Sequence, residues 1–367
     1  MDKSSYLCTI SEHMKVYFYH TQDIQRIVRE WKDGRFPGHY LYGAMGLGSH
    51  GISVVFHRYR PLLMSRWRLI MYNTWEILTC REHFDAVYAT HYRGIEIIIL
   101  LRALGLFRRP IVIWHHQPMT VPHGMLRRWA GRLFYRGIDR MFFFSEKLIN
   151  DSLASPYARP DRMFLGHWGP DLDFFDRLQR EHPAGRRHGF ISTGKKRRDM
   201  PTMVKAFNGT GAPLDIYLPE RNDISYRRLF DKLEVADNVR VNFVSGMIPY
   251  ELSLKVNWAE CVVICCKETK YTVGLTTIVE ALGLGMPVIC SRNPQFPIDV
   301  DKEGCGISVP YYDVDGWCRA ITYIVEHPEE AERMGRRARE IAETRYNDTI
   351  CAREAAGLLY DAVKRAE

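Results

Sequence analysis

Short apolar strands separated by helix-like segments occur twice along this chain, and that double alternation limits the fold more than any other feature of the sequence. A strand, a helix and a further strand close most readily into a parallel βαβ unit, and repeated units build a doubly wound sheet with helices on both faces. In the first half strands are expected at 16–19, 52–56, 86–89, 111–114 and 140–144, and in the second at 189–192, 215–218, 239–243, 261–265, 288–290 and 306–309. Between the two sets RLQREHPAGRRHG (177–189) is polar, contains Pro and Gly, and reads as a linker. The expected architecture is α/β: a domain over 1–176, a second over 190–348, and a helix over 349–367 packing back on the first. Residues 20–40 are expected as a long loop, followed by a helix from about 40 to 49. That loop leaves the carboxyl end of a strand, where open α/β sheets bind ligands.

The 367 residues, 46% hydrophobic and 26% charged, suit a soluble globular chain with two cores. No apolar stretch is long and clean enough to span a bilayer, and the first residues lack a signal-peptide core, so a cytoplasmic chain is expected. The nine cysteines show no CxxC pair, which fits reduced, buried thiols and not a zinc or redox centre.

Charge is uneven. Residues 1–180 carry 25 Lys and Arg against 16 Asp and Glu, a net of +9, whereas residues 181–367 carry 26 against 27. Basic residues interleave with aromatics in YRPLLMSRWRLIMYNTW (59–75) and MLRRWAGRLFYRGIDR (125–140). In the second run Arg128, Arg132 and Arg136 share one helical face, beside Trp129, Leu133 and Phe134. Such a face suits an anionic membrane surface; the alternative is a solvated helix packed on its own core. No nucleic-acid motif accompanies the charge, and no nucleic-acid partner is expected.

The stretch KETKYTVGLTTIVEALGLGMPVICS (267–291) joins a Gly turn, a helix start and a buried strand. Gly274 supplies the turn, and Thr276 and Thr277 sit where a helix begins, so that free backbone N–H groups and the positive helix end face an anion. Glu280, one turn further, is placed to accept hydrogen bonds from ribose hydroxyls. An ordinary helix–turn–strand connection with a surface Glu is the alternative.

Four ordered blocks, FISTGKKRRDMPTMVKAF (190–207), VRVNFVSGMIPYELSLKVNWAECVVICC (239–266), VGLTTIVEALGLGMPVICS (273–291) and GCGISVPYYDVDGWCRAITYIVEHPEEAERMGRRARE (304–340), resemble the glycosyltransferases group 1, the family 4 type of nucleotide-sugar transferases. The first half resembles the family more weakly, through 34–54, 111–118 and 141–151. The resemblance implies the GT-B architecture, two Rossmann-like domains facing a cleft. It implies that Lys195 and Arg198, past Gly194, hold the diphosphate with the N–H groups of Leu275, Thr276 and Thr277 completing the cradle, that the backbone at Met247 and Ile248 contacts the base, and that Glu280 binds ribose. His116 or its neighbour His115 corresponds to a histidine near the donor sugar. Adjacent strand residues point to opposite faces, so only one of the two is expected in the cleft. Gly38 and His91 are expected on the acceptor side.

The implied reaction moves a sugar from a nucleoside-diphosphate donor to a hydroxyl of a lipid-linked glycan in bacterial polysaccharide synthesis, with no cofactor and no metal, on the inner face of the cell membrane. The sequence departs from the family pattern at Thr272, where retaining members carry a further Glu, and by one extra residue between Gly274 and Glu280. Retention is expected, with inversion, a nucleotide-sugar epimerase or hydrolase, and a non-catalytic membrane scaffold as alternatives.

Overall fold

The computed structural model describes residues 14–60, 65–194, 196–220, 224–247 and 249–366. The first sheet comprises β1 (Met14–Tyr19), β2 (Ile52–Phe56), β3 (Ala86–Ala89), β4 (Ile111–His115), β5 (Arg140–Phe143) and β6 (Met163–Leu165), in the order β2-β1-β3-β4-β5-β6. The second comprises β7 (Phe190–Thr193), β8 (Leu214–Pro219), β9 (Val239–Val244), β10 (Cys261–Ile264), β11 (Val288–Ser291) and β12 (Gly306–Val309), in the order β12-β11-β10-β7-β8-β9. All pairings between these strands are parallel. Every residue of β3, β4, β5, β10 and β11 is buried, as strands covered by helices on both faces must be.

The strand orders decide where a ligand can sit. In the first sheet the chain moves from β1 to β2 on one side and then crosses to β3 on the other. The second sheet repeats this with β7 to β9 and then β10. Crevices therefore open beyond the carboxyl ends of β1 and β3, and of β7 and β10, where strand order reverses.

Three features differ from the sequence expectations. Residues Ile24–Lys32 form an α-helix inside the expected loop; the Asp23 side chain accepts from the Arg26 N–H, and Ile24 and Ile27 are buried with Val28 and Trp31 packed beside them. The helix expected at 40–49 is instead two 3₁₀ turns, Gly38–Leu41 and Ala44–His50, separated by Tyr42 (φ 53°) and Gly43 (φ 75°) in the left-handed region. Strand β6 has only three residues, too short a run to stand out in sequence.

The helix Leu172–Glu181 crosses the start of the expected linker and buries Phe174, Phe175 and Leu178 in the second core. The last helix, Asp348–Lys364, lies against the first domain, burying Cys351, Ala355, Ala356, Leu359 and Ala362 there, with Arg140 Nη2 2.7 Å from Asp361 Oδ2. Removing apolar atoms at this contact leaves a cavity. Leu359→Ala is expected to cost about 2–5 kcal/mol, read as a lower melting temperature by scanning calorimetry.

Candidate active site

On the second-domain side the chain leaves β7 through Gly194, whose φ is 93°. A Cβ there would stand 2.5 Å from Arg198 Nη2, so the turn closes tightly over that guanidinium. Arg198 is itself buried. Its Nε and Nη2 donate to the Thr193 carbonyl at 3.1 and 2.8 Å, Nη2 also to Thr277 Oγ1 at 3.1 Å, and Nη1 to Cys266 Sγ at 3.0 Å. One cation thus ties together the ends of β7 and β10 and the start of the helix Leu275–Gly283.

Gly274 caps that helix with φ 98°, and a Cβ there would meet Ile264 Cγ2 at 2.6 Å. No side chain caps the helix, and its hydrogen-bond ladder begins with Ile278 N–H on the Gly274 carbonyl at 3.1 Å. The N–H groups of Thr276 and Thr277 precede that ladder. Arg198 bonds to the Thr277 side chain beside them, and backbone donors at a helix start next to a cation are an arrangement able to receive an anion. Leu275 N–H donates to the Thr272 carbonyl at 3.2 Å and closes the longer turn. Met247 follows β9 at the same carboxyl edge of the sheet. Lys195 and Ile248 lie outside the described residues.

Glu280 is 8% exposed and accepts a hydrogen bond of 2.9 Å at Oε1 from the Tyr40 hydroxyl of the first domain. Burial pushes its carboxyl up to about 7, against the opposing pull of the Tyr40 bond and the Arg198 charge.

From the first domain, His116 follows β4 and places Nε2 2.7 Å from the Thr90 carbonyl. A carbonyl only accepts, so Nε2 carries the proton and Nδ1 keeps its lone pair. His91 stacks on it at 5.0 Å between ring centroids and 23° between planes, and accepts from Arg93 N–H at Nδ1. Burial lowers His116 to about 4 and His91 to about 3, and the positive charge of Lys196, reaching from the second domain, acts on both in the same direction. Both imidazoles are therefore neutral near pH 7.

His115 turns the other way. It lies between the Gln117 carbonyl (2.5 Å from Nδ1) and the Tyr135 hydroxyl (3.2 Å from Nε2), a buried structural position. Gly38, expected on the acceptor side, sits at the domain junction. Its N–H donates to Asp171 Oδ2 at 2.7 Å, and a Cβ would press on Asp171, Asp348 and Trp31, each at 3.0 Å. A cavity of about 540 Å³ opens behind it, lined by Trp31, Met45, Asp171, Phe174, Arg177 and Asp348, and holds none of the cleft residues named above. Tyr40 and Lys196 are the site residues that sequence reasoning missed. Lys196 lay unmarked inside a run of four basic residues, and nothing along the chain signals that residue 40 meets residue 280.

Residues 225–341 match the family described as glycosyl transferases group 1. The matched residues all lie in the second domain. That match contains Gly274, the helix Leu275–Gly283 and Glu280. A D-inositol 3-phosphate glycosyltransferase of Saccharomonospora viridis is 35% identical over 65 residues, which span 18% of this chain and 15% of that relative. Two solved structures share the whole fold. Sucrose-phosphate synthase from Thermosynechococcus elongatus superposes with a TM-score of 0.73 at 15% identity, covering 96% of this chain and 100% of that one. Anabaena HepE, in complex with UDP and glucose, gives 0.64 at 13%, covering 95% and 100%. The architecture is GT-B, two Rossmann-like domains, and the segment matched by the family carries Gly274 and Glu280.

The buried carboxyl has a measurable consequence. Glu280 titrates near 7 in the folded chain and near 4.5 when unfolded, so between these values the folded state binds more protons and stability falls as pH rises. Asp348, half-buried beside Asp171 and also pushed up to about 7 by desolvation and the Asp171 charge, acts in the same sense. Glu280→Gln removes the Glu280 share. Its melting temperature is expected to match wild type near pH 5 and to exceed it by about 2–4 °C at pH 8.

Proposed function

We propose that this chain transfers a sugar from a nucleoside-diphosphate sugar to a hydroxyl of a lipid-linked glycan in cell-surface polysaccharide synthesis, with retention at the sugar carbon. The observation that carries this reading is the pairing, inside a group 1 domain, of an uncapped helix N-terminus over the Arg198 cation with a buried Glu280 one turn away. An anion site followed by a carboxylate at ribose distance suits a nucleoside diphosphate. HepE, of the same fold, was crystallised with UDP and glucose, which supports a nucleotide-sugar donor here.

In this reading the N–H groups of Thr276 and Thr277, with Arg198 and the exposed Lys196, stabilise the charge that builds on the departing diphosphate. These groups supply the compensation without a divalent ion. His116, neutral and with Nδ1 free to accept, hydrogen-bonds a hydroxyl of the donor sugar, and His91 stacked on it borders the acceptor. Thr272 carries no carboxylate, so the donor-side chemistry rests on backbone donors and cations. Addition of UDP, GDP and ADP in turn is expected to raise the melting temperature with at least one of them. Glu280→Ala should weaken that nucleotide by about tenfold, the loss of one charge-assisted contact. No shift with any of the three removes the proposal, and an epimer or free sugar from donor alone would favour the epimerase or hydrolase alternative.

A membrane-facing role is supported by a second observation. The helix Arg66–Leu78 buries Ile70, Asn73, Thr74 and Ile77 but turns Trp67, Met71, Trp75 and Leu78 to solvent, Trp67 73% and Trp75 66% exposed. The helix Met125–Arg136 has no buried residue and exposes Met125, Leu126 and Trp129 beside Arg127, Arg128 and Arg132. The helix Glu96–Ala103 lies between these two and touches both, and Leu104 and Leu106 at its end are also exposed. Tryptophans among arginines on one outer face suit the headgroup region of an anionic bilayer. No helix among the described residues is long and apolar enough to cross a membrane. Replacing Trp67, Trp75 and Trp129 by Ser is expected to cut sedimentation with phosphatidylglycerol vesicles by about tenfold or more, leaving nucleotide binding unchanged.

A further inference from the structure

Tyr40 is the only hydrogen-bond partner of the Glu280 side chain among the described residues, and it belongs to the opposite domain. Its ring does not move freely. It stacks on His39 at 4.7 Å and meets Phe36 edge-on at 5.0 Å, in a 3₁₀ turn pinned by Gly38 N–H on Asp171 and by Trp168 Nε1–H on the His39 carbonyl at 2.7 Å. The next residue but one, Tyr42, holds the left-handed backbone that ends the turn. The hydroxyl is thus presented to Glu280 by a rigid element of the first domain. On the other side, Leu275 and Val279, on the same helix as Glu280, bury into the first-domain core, so the helix and the turn are held in register.

A glutamate on a helix has three rotatable bonds, and its carboxylate reads a ribose diol only when its oxygens are held toward the cleft. Tyr40 occupies one lone pair of Oε1 and leaves the others for the ligand. We propose that Tyr40 is a positioning residue: its hydroxyl holds the Glu280 carboxylate in the orientation that accepts the nucleotide ribose, so that tight donor binding requires the first domain to be docked on the second. The inference rests on the assignment of Glu280 to the ribose. The same bond favours the ionised carboxylate against the cost of burial, and Arg198 is the other group acting on it in that direction. Loss of the hydroxyl therefore disorders the carboxylate and also protonates it more readily.

Tyr40→Phe keeps the ring and its packing and removes only the donor. Calorimetric titration is carried out on the full chain with the tightest of UDP, GDP and ADP and with its 2′,3′-dideoxy counterpart, at pH 6, 7, 8 and 9. Wild type is expected to lose affinity as pH falls from 8 to 6 and to prefer the ribonucleotide. Tyr40→Phe is expected to bind the ribonucleotide about three- to tenfold more weakly at pH 7, with the deficit narrowing at pH 9, and to melt within a few degrees of wild type. Glu280→Ala should abolish the preference for the ribonucleotide. Equal or tighter binding by Tyr40→Phe, a deficit that does not change with pH, or a wild-type affinity that is flat from pH 8 to 6 overturns the inference. If Glu280→Ala still discriminates the two ligands, the ribose assignment fails, and the inference fails with it.

Discussion

The helix Leu275–Gly283 is the element on which the arrangement turns. Eight of its nine residues are buried, including Thr277 and Glu280. Leu275 and Val279 belong to the first-domain core, whereas Ile278, Ala281 and Leu282 belong to the second. A helix apolar on nearly all sides must be enclosed, and here both domains enclose it. Its N-terminus is nevertheless left uncapped, at the reversal of strand order between β7 and β10. The packing that joins the domains therefore also fixes the uncapped helix end and the Glu280 carboxylate relative to each other, the preorganisation on which the proposed donor site rests.

That arrangement requires burying charges, and each is handled differently. Arg198 is surrounded by a carbonyl, a hydroxyl and a thiol, which satisfy its donors without neutralising it. Its charge remains available to an anion above the helix end. Glu280 receives a single phenol and stays near the point of protonation at neutral pH. Arg140 and Asp361, far from the cleft, form an ion pair that anchors the last helix. Buried charges of the first two kinds cost stability, and their position in the cleft is consistent with a binding role.

Much of the fold was legible along the chain: eleven of the twelve strands stood out, the central ones as continuous apolar runs buried on both faces and others, such as β8 and β9, as apolar and polar residues interleaved. The turn at Gly274 was legible for a local reason, since a left-handed residue just before a helix start favours glycine. The helix Ile24–Lys32 was hidden by its polar residues, although Ile24, Ile27, Val28 and Trp31 carry the helical spacing. Alternation along β4 allowed only one of His115 and His116 into the cleft, but not which one. That choice follows from the contacts on each face, with Tyr135 and Gln117 on one side and Thr90 and His91 on the other.

The sequence by itself determined the class of fold, the order of its two sheets' strands along the chain, and the local chemistry of the turn at Gly274, because these depend on neighbours within a few residues. The tertiary structure alone decided that His91 stacks on His116, that Gly38 serves the domain junction, and that Tyr40 meets Glu280 across 240 positions of chain. Such pairings depend on how two separately folded sheets dock. Docking is set by the summed shape and burial of many side chains, so no single segment encodes it.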